Sequence, residues 1–180
     1  FGYDRVYKQG FNIKTPLNLN LQNIATISLR TGLLDYDKRR GWRGPLTNKK
    51  NFKDWYKDKD LNKFKLEKSL NWKLAIVKKI NKFSIKIETE KKIEGVINYE
   101  NIVWTKKEFN ELVKIGDIIY VKKINEGIYE LKQLPKVNGG IVVMDPYTGR
   151  VLALSGGFSF RKSEFNRVSQ ALRQPGSAFK

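Results

Sequence analysis

The chain has 180 residues, of which 40% are hydrophobic and 12% aromatic, a composition typical of a folded protein rather than a disordered one. It contains no cysteine and no histidine, which excludes disulfides and thiolate sites and removes the commonest metal ligands, so we expect neither metal-dependent chemistry nor a cofactor. The formal net charge of +18 favours anionic partners such as nucleic acid, lipid headgroups or an acidic polymer, but lysine, asparagine and isoleucine are abundant throughout, and compositional bias is the favoured explanation.

Neither end of the chain carries a targeting or membrane signal. No stretch approaches the roughly 18 consecutive apolar residues that a membrane helix needs, and the first ten residues lack the order of a signal peptide. The chain starts at Phe1 rather than Met, and residues 177–180 stop in what resembles a helix start. We therefore expect both ends to be internal positions of a longer protein.

Residues 1–50 are predicted to form a linker strand followed by an amphipathic helix. Residues 3–13 look extended, and residues 17–37 carry apolar and small side chains at helical spacing. Asn18 or Asn20 can cap the free N–H groups of the first turn, and the helix is predicted to end before Gly41. Its inward face is predicted to consist of Leu21, Ile24, Ala25, Ser28 and Gly32.

Residues 51–70 are interpreted as a lysine-rich connector. The surrounding sequence is polar, with 15 Lys against 6 Asp and Glu between residues 49 and 92, and its first half is typical of a linker. A short helix is still compatible with the apolar side chains in it, and we assign the segment no function. These apolar side chains are Trp55, Tyr56, Leu61, Phe64 and Leu66.

Residues 71–137 are predicted to form an OB-like five-stranded antiparallel barrel. Apolar and polar residues alternate most clearly over residues 83–88, the second strand. Further strands are predicted over residues 72–80, 93–99 with an extension to 104, 117–124, and 128–134.

A short helix and a hairpin complete the pattern of this region. Phe109, Leu112 and Val113 lie on one helical face that is predicted to end before Gly116. Residues 125–127 supply a turn between the last two strands. Three strands, a helix and two strands in this order favour an OB barrel.

Residues 138–180 are predicted to contain the truncated edge of an α/β domain. Residues 141–144 and 151–154 are apolar on both alternating faces and are joined by the turn at 145–149. A two-stranded ribbon cannot cover both of its own faces, so we expect these strands to be buried in a larger sheet flanked by helices outside this sequence. Residues 1–45 are expected to pack near residues 139–155.

The motif that carries chemistry is Ser-x-x-Lys, which occurs twice. At Ser177 and Lys180 this spacing places both side chains on one face of a helix that begins at the serine. A neutral, desolvated lysine can accept the serine proton, and the N–H groups of the helix start can stabilise an oxyanion. The bare pattern is unspecific, because Ser159 and Lys162 repeat it, and a capping role for Ser177 is the favoured local explanation.

The longer stretches of sequence around the two motifs favour Ser177 over Ser159 as the catalytic serine. The closing run contains Gly156-Gly157-Phe158, Phe165-Asn166-Arg167 and Gln170 to Lys180, including Gln174-Pro175-Gly176-Ser177, and it closely resembles the start of the transpeptidase domain of class A penicillin-binding proteins. The hairpin at 141–154 resembles the first strands of that domain, and residues 2–6 and 33–45 resemble the segment that links the glycosyltransferase and transpeptidase domains. Residues 72–77, 103–104 and 116–117 resemble the family's OB-type insertion more weakly.

The resemblance implies a segment of a peptidoglycan synthase at the periplasmic side of the inner membrane, with the membrane anchor of that protein outside this sequence. In such a protein Ser177 is the acyl-enzyme nucleophile and Lys180 the general base. The partners implied are the D-alanyl-D-alanine end of a stem peptide and β-lactams. The family's Ser-x-Asn and Lys-Thr-Gly elements are expected beyond residue 180 and the glycosyltransferase glutamates before residue 1, so we expect residues 1–180 to be inactive alone.

Two alternatives treat the barrel as a binding module. Phe83, Tyr99 and Trp104 are candidate platforms for stacking nucleic-acid bases, although aromatic side chains in small barrels usually fill the core, and we expect no nucleic-acid partner. Residues 71–137 are alternatively a docking module for a regulatory protein. Docking predicts exposed apolar residues clustered on one face of the barrel.

Overall fold

The computed structural model describes residues 2–8, 12–50 and 52–179, and its centre is a closed barrel. Successive side chains of a strand point to opposite faces, so one face of each barrel strand points into a common core. The core consists of Ala75, Val77, Ile85, Ile87, Ile97, Ile102, Phe109, Leu112, Val113, Ile119, Val121, Tyr129 and Leu131. The barrel strands are β2 (Trp72–Ile80), β3 (Ser84–Thr89), β4 (Glu94–Asn98), β5 (Asp117–Asn125) and β6 (Ile128–Lys132), and β1 (Thr47–Asn48) pairs with the start of β5.

The closure of the barrel departs from the all-antiparallel prediction. β2 pairs antiparallel with β3 and β5, and β3 with β4, but β4 meets β6 in parallel, with Val96 opposite Ile128. The antiparallel pair β5 and β6 completes the ring. The five-stranded OB-like barrel is therefore confirmed, and it is a mixed barrel. The third strand also ends earlier than expected, because residues 99–105 form two 3-10 turns instead of continuing to Trp104.

The N-terminal region is helical where a strand was expected. Helix α1 (Tyr3–Lys8) replaces the first part of the predicted extended segment, residues 9–11 of which lie outside the described residues. Tyr3 and Tyr7 stack at 4.6 Å between ring centroids, and Asp4 pairs with Lys8 at 2.7 Å, so contacts one turn apart stabilise the helix. No described helix is long and apolar enough to cross a membrane.

Helix α2 (Leu19–Arg39) confirms the helix predicted over residues 17–37. The side-chain oxygen of Asn18 accepts hydrogen bonds from the backbone N–H groups of the first turn, as a capping residue does. The predicted inward face is only partly correct, because Ala25 is buried but Ile24, Ser28 and Gly32 are exposed. The observed face is rotated and includes polar residues such as Gln22 and Arg30, which no apolar periodicity indicates.

The sheet of β7 (Ile141–Met144) and β8 (Val151–Ser155) packs against α2, as expected for residues 1–45. The Gln22 side chain binds the free edge of β8, donating to the Leu154 carbonyl at 3.0 Å and accepting from its N–H at 2.9 Å. Both faces of this two-stranded sheet were predicted to be buried. The face that carries Val142 and Met144 is exposed in the described chain. The helix α3 (Phe109–Leu112), the remaining predicted element, lies between β4 and β5.

The connector is a packed layer rather than an open linker. It contains three 3-10 turns, Trp55–Lys57, Lys59–Phe64 and Lys68–Leu70, in place of one short helix. Trp55 and Leu61 are buried against the outer face of β2 and β5. Those two strands are therefore buried on both faces, and the connector forms a second small core with Leu74, Ile76, Ile118 and Tyr120.

Candidate functional site

The predicted nucleophile lies in a tight turn at the end of the described chain. Ser177 belongs to the 3-10 turn Gly176–Phe179, here called the serine turn, and it is exposed. Gly176 has a φ of +55°, a left-handed conformation that glycine adopts without a steric penalty. Lys180, the predicted general base, lies outside the described residues.

The loop of residues 156–170 leads to the serine turn and is held by its own hydrogen bonds. The side-chain oxygen of Asn166 accepts from the Val168 N–H at 3.0 Å, and the Arg167 N–H donates to the Gly156 carbonyl at 3.1 Å. A Cβ atom at Gly156 would lie 2.0 Å from the Asn166 side chain. Glycine is needed at this position because the two parts of the loop cross in close contact.

The second Ser-x-x-Lys sequence is occupied by structural contacts. Ser159 is 2% exposed, and its hydroxyl donates to a Glu67 carboxylate oxygen at 2.5 Å. The Lys162 ammonium donates to the backbone carbonyl of Lys63. Burial lowers the pKa of Lys162, and the neighbouring charge of Arg161 adds to this effect. The Ser159 hydroxyl is therefore hydrogen-bonded to the connector, whereas Ser177 is exposed.

Arg30 joins α2 to the same junction. Its Nε donates to the Phe158 carbonyl at 3.0 Å, and its terminal nitrogens donate to Glu67 at 2.9 Å and to the Ser69 hydroxyl at 3.2 Å. These contacts lie beside a cleft of about 480 Å³ between α2, the connector and the loop of residues 156–170. Three segments that are distant in sequence thus meet at one polar cluster.

Sequence reasoning did not identify Arg30 or Glu67. Each is one of many charged residues in its segment, and the two are 37 positions apart. Only the pairing of α2 with the connector brings them together. The one usable signal was the run of four apolar residues in β2, Leu74 to Val77, which indicates a strand covered on both faces.

The aromatic residues of the barrel divide into exposed and packed side chains. Phe83 is 73% exposed and Tyr99 is 48% exposed. The Trp104 ring packs edge-on against Trp42, with 6.0 Å between centroids, at the margin of the barrel core. The interpretation of Trp104 as a stacking platform is therefore wrong. Most exposed large apolar residues of the barrel lie in connections between its strands rather than on one face of the sheet: Phe83, Ile93, Tyr99, Val103 and Ile115. Ile124, which is also exposed, lies near the end of β5.

Residues 42–137 match the family described as the penicillin-binding protein OB-like domain. The chain is 39% identical over 181 residues to penicillin-binding protein 1A of Rickettsia prowazekii, covering 98% of this chain and 22% of that protein. It is 32% identical over 187 residues to penicillin-binding protein 1A of Pseudomonas aeruginosa, covering 97% of this chain and 22% of that protein. The chain thus spans about a fifth of the length of these relatives.

The fold agrees with this relationship. The crystal structure of penicillin-binding protein 1A from Haemophilus influenzae superposes with a TM-score of 0.78 at 31% sequence identity, over 97% of this chain and 26% of that one. The agreement extends beyond the matched domain, because a superposition over 97% of this chain reaches well outside residues 42–137. The chain therefore belongs to the class A penicillin-binding proteins and contains their OB-like domain.

Proposed function

We propose that this chain is a segment of a bifunctional peptidoglycan synthase, a glycosyltransferase and D,D-transpeptidase, in which Ser177 forms the acyl-enzyme. The exposed position of Ser177 in the serine turn carries the proposal, because the other Ser-x-x-Lys serine is buried and bound to Glu67. The relatives named penicillin-binding protein 1A support the same assignment. The full-length protein acts at the periplasmic side of the inner membrane.

The proposed reaction proceeds in two steps. The Ser177 hydroxyl oxygen attacks the carbonyl carbon of the D-alanyl-D-alanine peptide bond, and Lys180 accepts the hydroxyl proton. The C–N bond breaks, and the amine of the leaving D-alanine takes the proton held by Lys180. An amine from a neighbouring strand then attacks the carbonyl carbon of the Ser177 ester, the C–O bond to the serine breaks, and the proton lost by that amine passes to the serine oxygen.

The same serine is the proposed target of β-lactams. A strained cyclic amide held at the site opens on attack by Ser177 and leaves an ester that water hydrolyses slowly. Residues 1–180 alone are proposed to be inactive, because the remaining elements of the transpeptidase site lie outside them.

Labelling by a fluorescent penicillin tests the proposal. The full-length protein should be labelled, and Ser177→Ala should abolish the labelling. Two serine variants serve as controls: Ser159→Ala alters the second Ser-x-x-Lys sequence, and Ser169→Ala alters an exposed serine of the same loop. Both should still reach full labelling after long incubation with the penicillin. Labelling of a folded Ser177→Ala protein would contradict the assignment.

Lys180→Ala tests the role of the general base separately. It should lower the rate of acylation strongly while leaving the protein folded, because loss of a positioned acid–base group costs about 10²–10⁴-fold. The reduction should show mainly in the rate constant for acylation rather than in the penicillin binding constant. A Lys180→Ala protein that acylates at the normal rate would assign proton transfer to another group.

A further inference from the structure

The connector and the loop that precedes Ser177 are joined at two points. Glu67 accepts the hydroxyl hydrogen bond of Ser159, and the carbonyl of Lys63 accepts a hydrogen bond from Lys162. We call these four residues the latch. Ser159 and Lys162 are the first and last residues of one four-residue turn, since the Lys162 N–H also donates to the Ser159 carbonyl at 3.2 Å.

Partial burial distinguishes the Glu67 contacts of the latch from an ordinary surface contact. The Glu67 side chain is 25% exposed and that of its partner Arg30 is 19% exposed. Both carboxylate oxygens of Glu67 are used, one by Arg30 and the other by Ser159. Breaking one of these contacts leaves a partly buried charged or polar group without its partner, which costs more than the loss of an exposed pair.

Phe158, the residue before Ser159, makes contacts with two further elements, β2 and α2. The Phe158 side chain is 3% exposed and packs against Trp72 of β2 with 5.9 Å between ring centroids. Its carbonyl accepts a hydrogen bond from Arg30 of α2. The start of the loop is therefore anchored to the barrel, to the connector and to α2 at once.

We propose that Glu67 and Ser159 are positioning residues that fix the loop carrying Ser177 relative to the OB-like barrel. The lysine-rich connector thereby has a role: it covers β2 and β5 with its apolar side chains and holds the transpeptidase loop with Glu67 and the Lys63 carbonyl. The inference rests on the proposed function of Ser177. It assigns a structural role to the second Ser-x-x-Lys sequence.

The test measures acylation of the full-length protein by a fluorescent penicillin, with binding and acylation rate resolved separately. Glu67→Ala and Ser159→Ala should each lower the acylation rate constant by about 2–30-fold, the range expected for coupling through a packed polar contact, and leave the binding constant unchanged. The double variant should be no slower than the slower single variant, because both changes break the same contact. Glu67→Gln keeps an acceptor for Ser159 and should lie between Glu67→Ala and the unmodified protein.

Asp54→Ala is the matched control. Asp54 is a connector carboxylate that pairs with Lys57 at 3.2 Å within the connector. Its removal should leave the acylation rate unchanged. Equal losses in Asp54→Ala and Glu67→Ala, or normal acylation rates in folded Glu67→Ala and Ser159→Ala, would overturn the latch.

Hydrogen exchange of Ser159→Ala provides a second measurement that does not depend on Glu67→Ala folding well. Peptides from residues 156–179 should exchange faster than in the unmodified protein, while peptides from β2 to β6 stay unchanged; equal exchange in the loop rejects the proposal. Failure of the latch is distinguishable from failure of the proposed function. If labelling requires Ser177 but not Glu67 or Ser159, only the latch fails, whereas labelling of Ser177→Ala removes the basis of both.

Discussion

Arg43 binds both carboxylate oxygens of Asp37 in a parallel, two-pronged contact, with both nitrogen–oxygen distances at 2.9 Å. Asp37 ends the buried face of α2 and is 3% exposed, and Arg43 lies just before the barrel. Gln133, which follows β6, donates to the same carboxylate at 2.8 Å. This one carboxylate therefore attaches α2 to both the entrance and the exit of the barrel.

Asp37→Asn should lower the free energy of unfolding of the chain by about 2–4 kcal/mol at neutral pH, because it leaves the partly buried guanidinium of Arg43 without its counter-charge. Urea unfolding followed by tryptophan fluorescence measures this change. Asp35→Asn is the matched control, since Asp35 is exposed on the same helix, and it should change stability by less than about 0.5 kcal/mol. Equal effects of the two substitutions would contradict the attachment role of Asp37.

Asp37 also predicts an acid-dependent loss of stability. Burial raises the pKa of its carboxyl, but hydrogen bonds from Arg43, Gln133 and a backbone N–H outweigh burial, and the pKa lies below the ordinary value of 3.8. A carboxyl whose pKa is depressed by folding stabilises the protein above its unfolded pKa and loses this contribution as pH falls through the folded pKa. The stability difference between the unmodified protein and Asp37→Asn should therefore shrink as the pH falls below 3.8. Parallel stability curves for the two proteins would show that Asp37 is not the group responsible.

The packed connector predicts a cost for truncating its core. Leu61 of the connector is 2% exposed and packs against β2 and β5, so Leu61→Ala should lower the free energy of unfolding by about 2–5 kcal/mol. Ile27, which is 65% exposed on α2, provides an apolar control, and Ile27→Ala should change stability by less than about 0.5 kcal/mol. Denaturant unfolding measures both. A Leu61→Ala protein of unchanged stability would mean that the connector does not fold with the barrel.

Alanine substitutions at Gly95 and at Gly32 should change the stability of the chain in opposite directions. A Cβ atom at Gly95 would lie 2.4 Å from the ring of Tyr129, so Gly95→Ala should destabilise the barrel by about 1–3 kcal/mol. Gly32 lies inside α2 with nothing within 4 Å of such an atom, and Gly32→Ala should stabilise the chain by about 0.5–1 kcal/mol because alanine favours the helix. Thermal unfolding of both variants tests the pair. A stabilising Gly95→Ala would show that the Tyr129 ring can move aside.

Some elements followed from the local pattern alone. The bounds predicted for the first barrel strand coincide with β2 (Trp72–Ile80), because a run of strand-forming residues ends at a polar turn. The helix at residues 17–37 followed from spacing and from its cap at Asn18. Recognition of Ser177 depended on the longer run around it, and its catalytic role stays a prediction.

Other features depended on partners that are distant in sequence. The prediction of an extended segment at residues 3–8 was wrong, because these residues form a helix. A short segment with few periodic positions is compatible with both strand and helix. The inward face of α2 was predicted only in part, because Gln22 and Arg30 face inward to make hydrogen bonds and a pattern of hydrophobic residues does not mark them. The parallel contact of β4 with β6 was also missed, since side-chain alternation is the same in both strand directions.

The sequence by itself determined the order and type of the barrel elements, because these are encoded in residues that are neighbours along the chain. The start of a transpeptidase domain and the role of Ser177 stay predictions. Only the tertiary structure decided what covers the outer face of β2 and β5 and which residues hold the loop before the serine turn. Glu67 and Ser159 are 92 positions apart, and no local pattern pairs one carboxylate with one hydroxyl among many. Their contact exists because the connector packs on the barrel beside α2, and that packing depends on the whole folded chain.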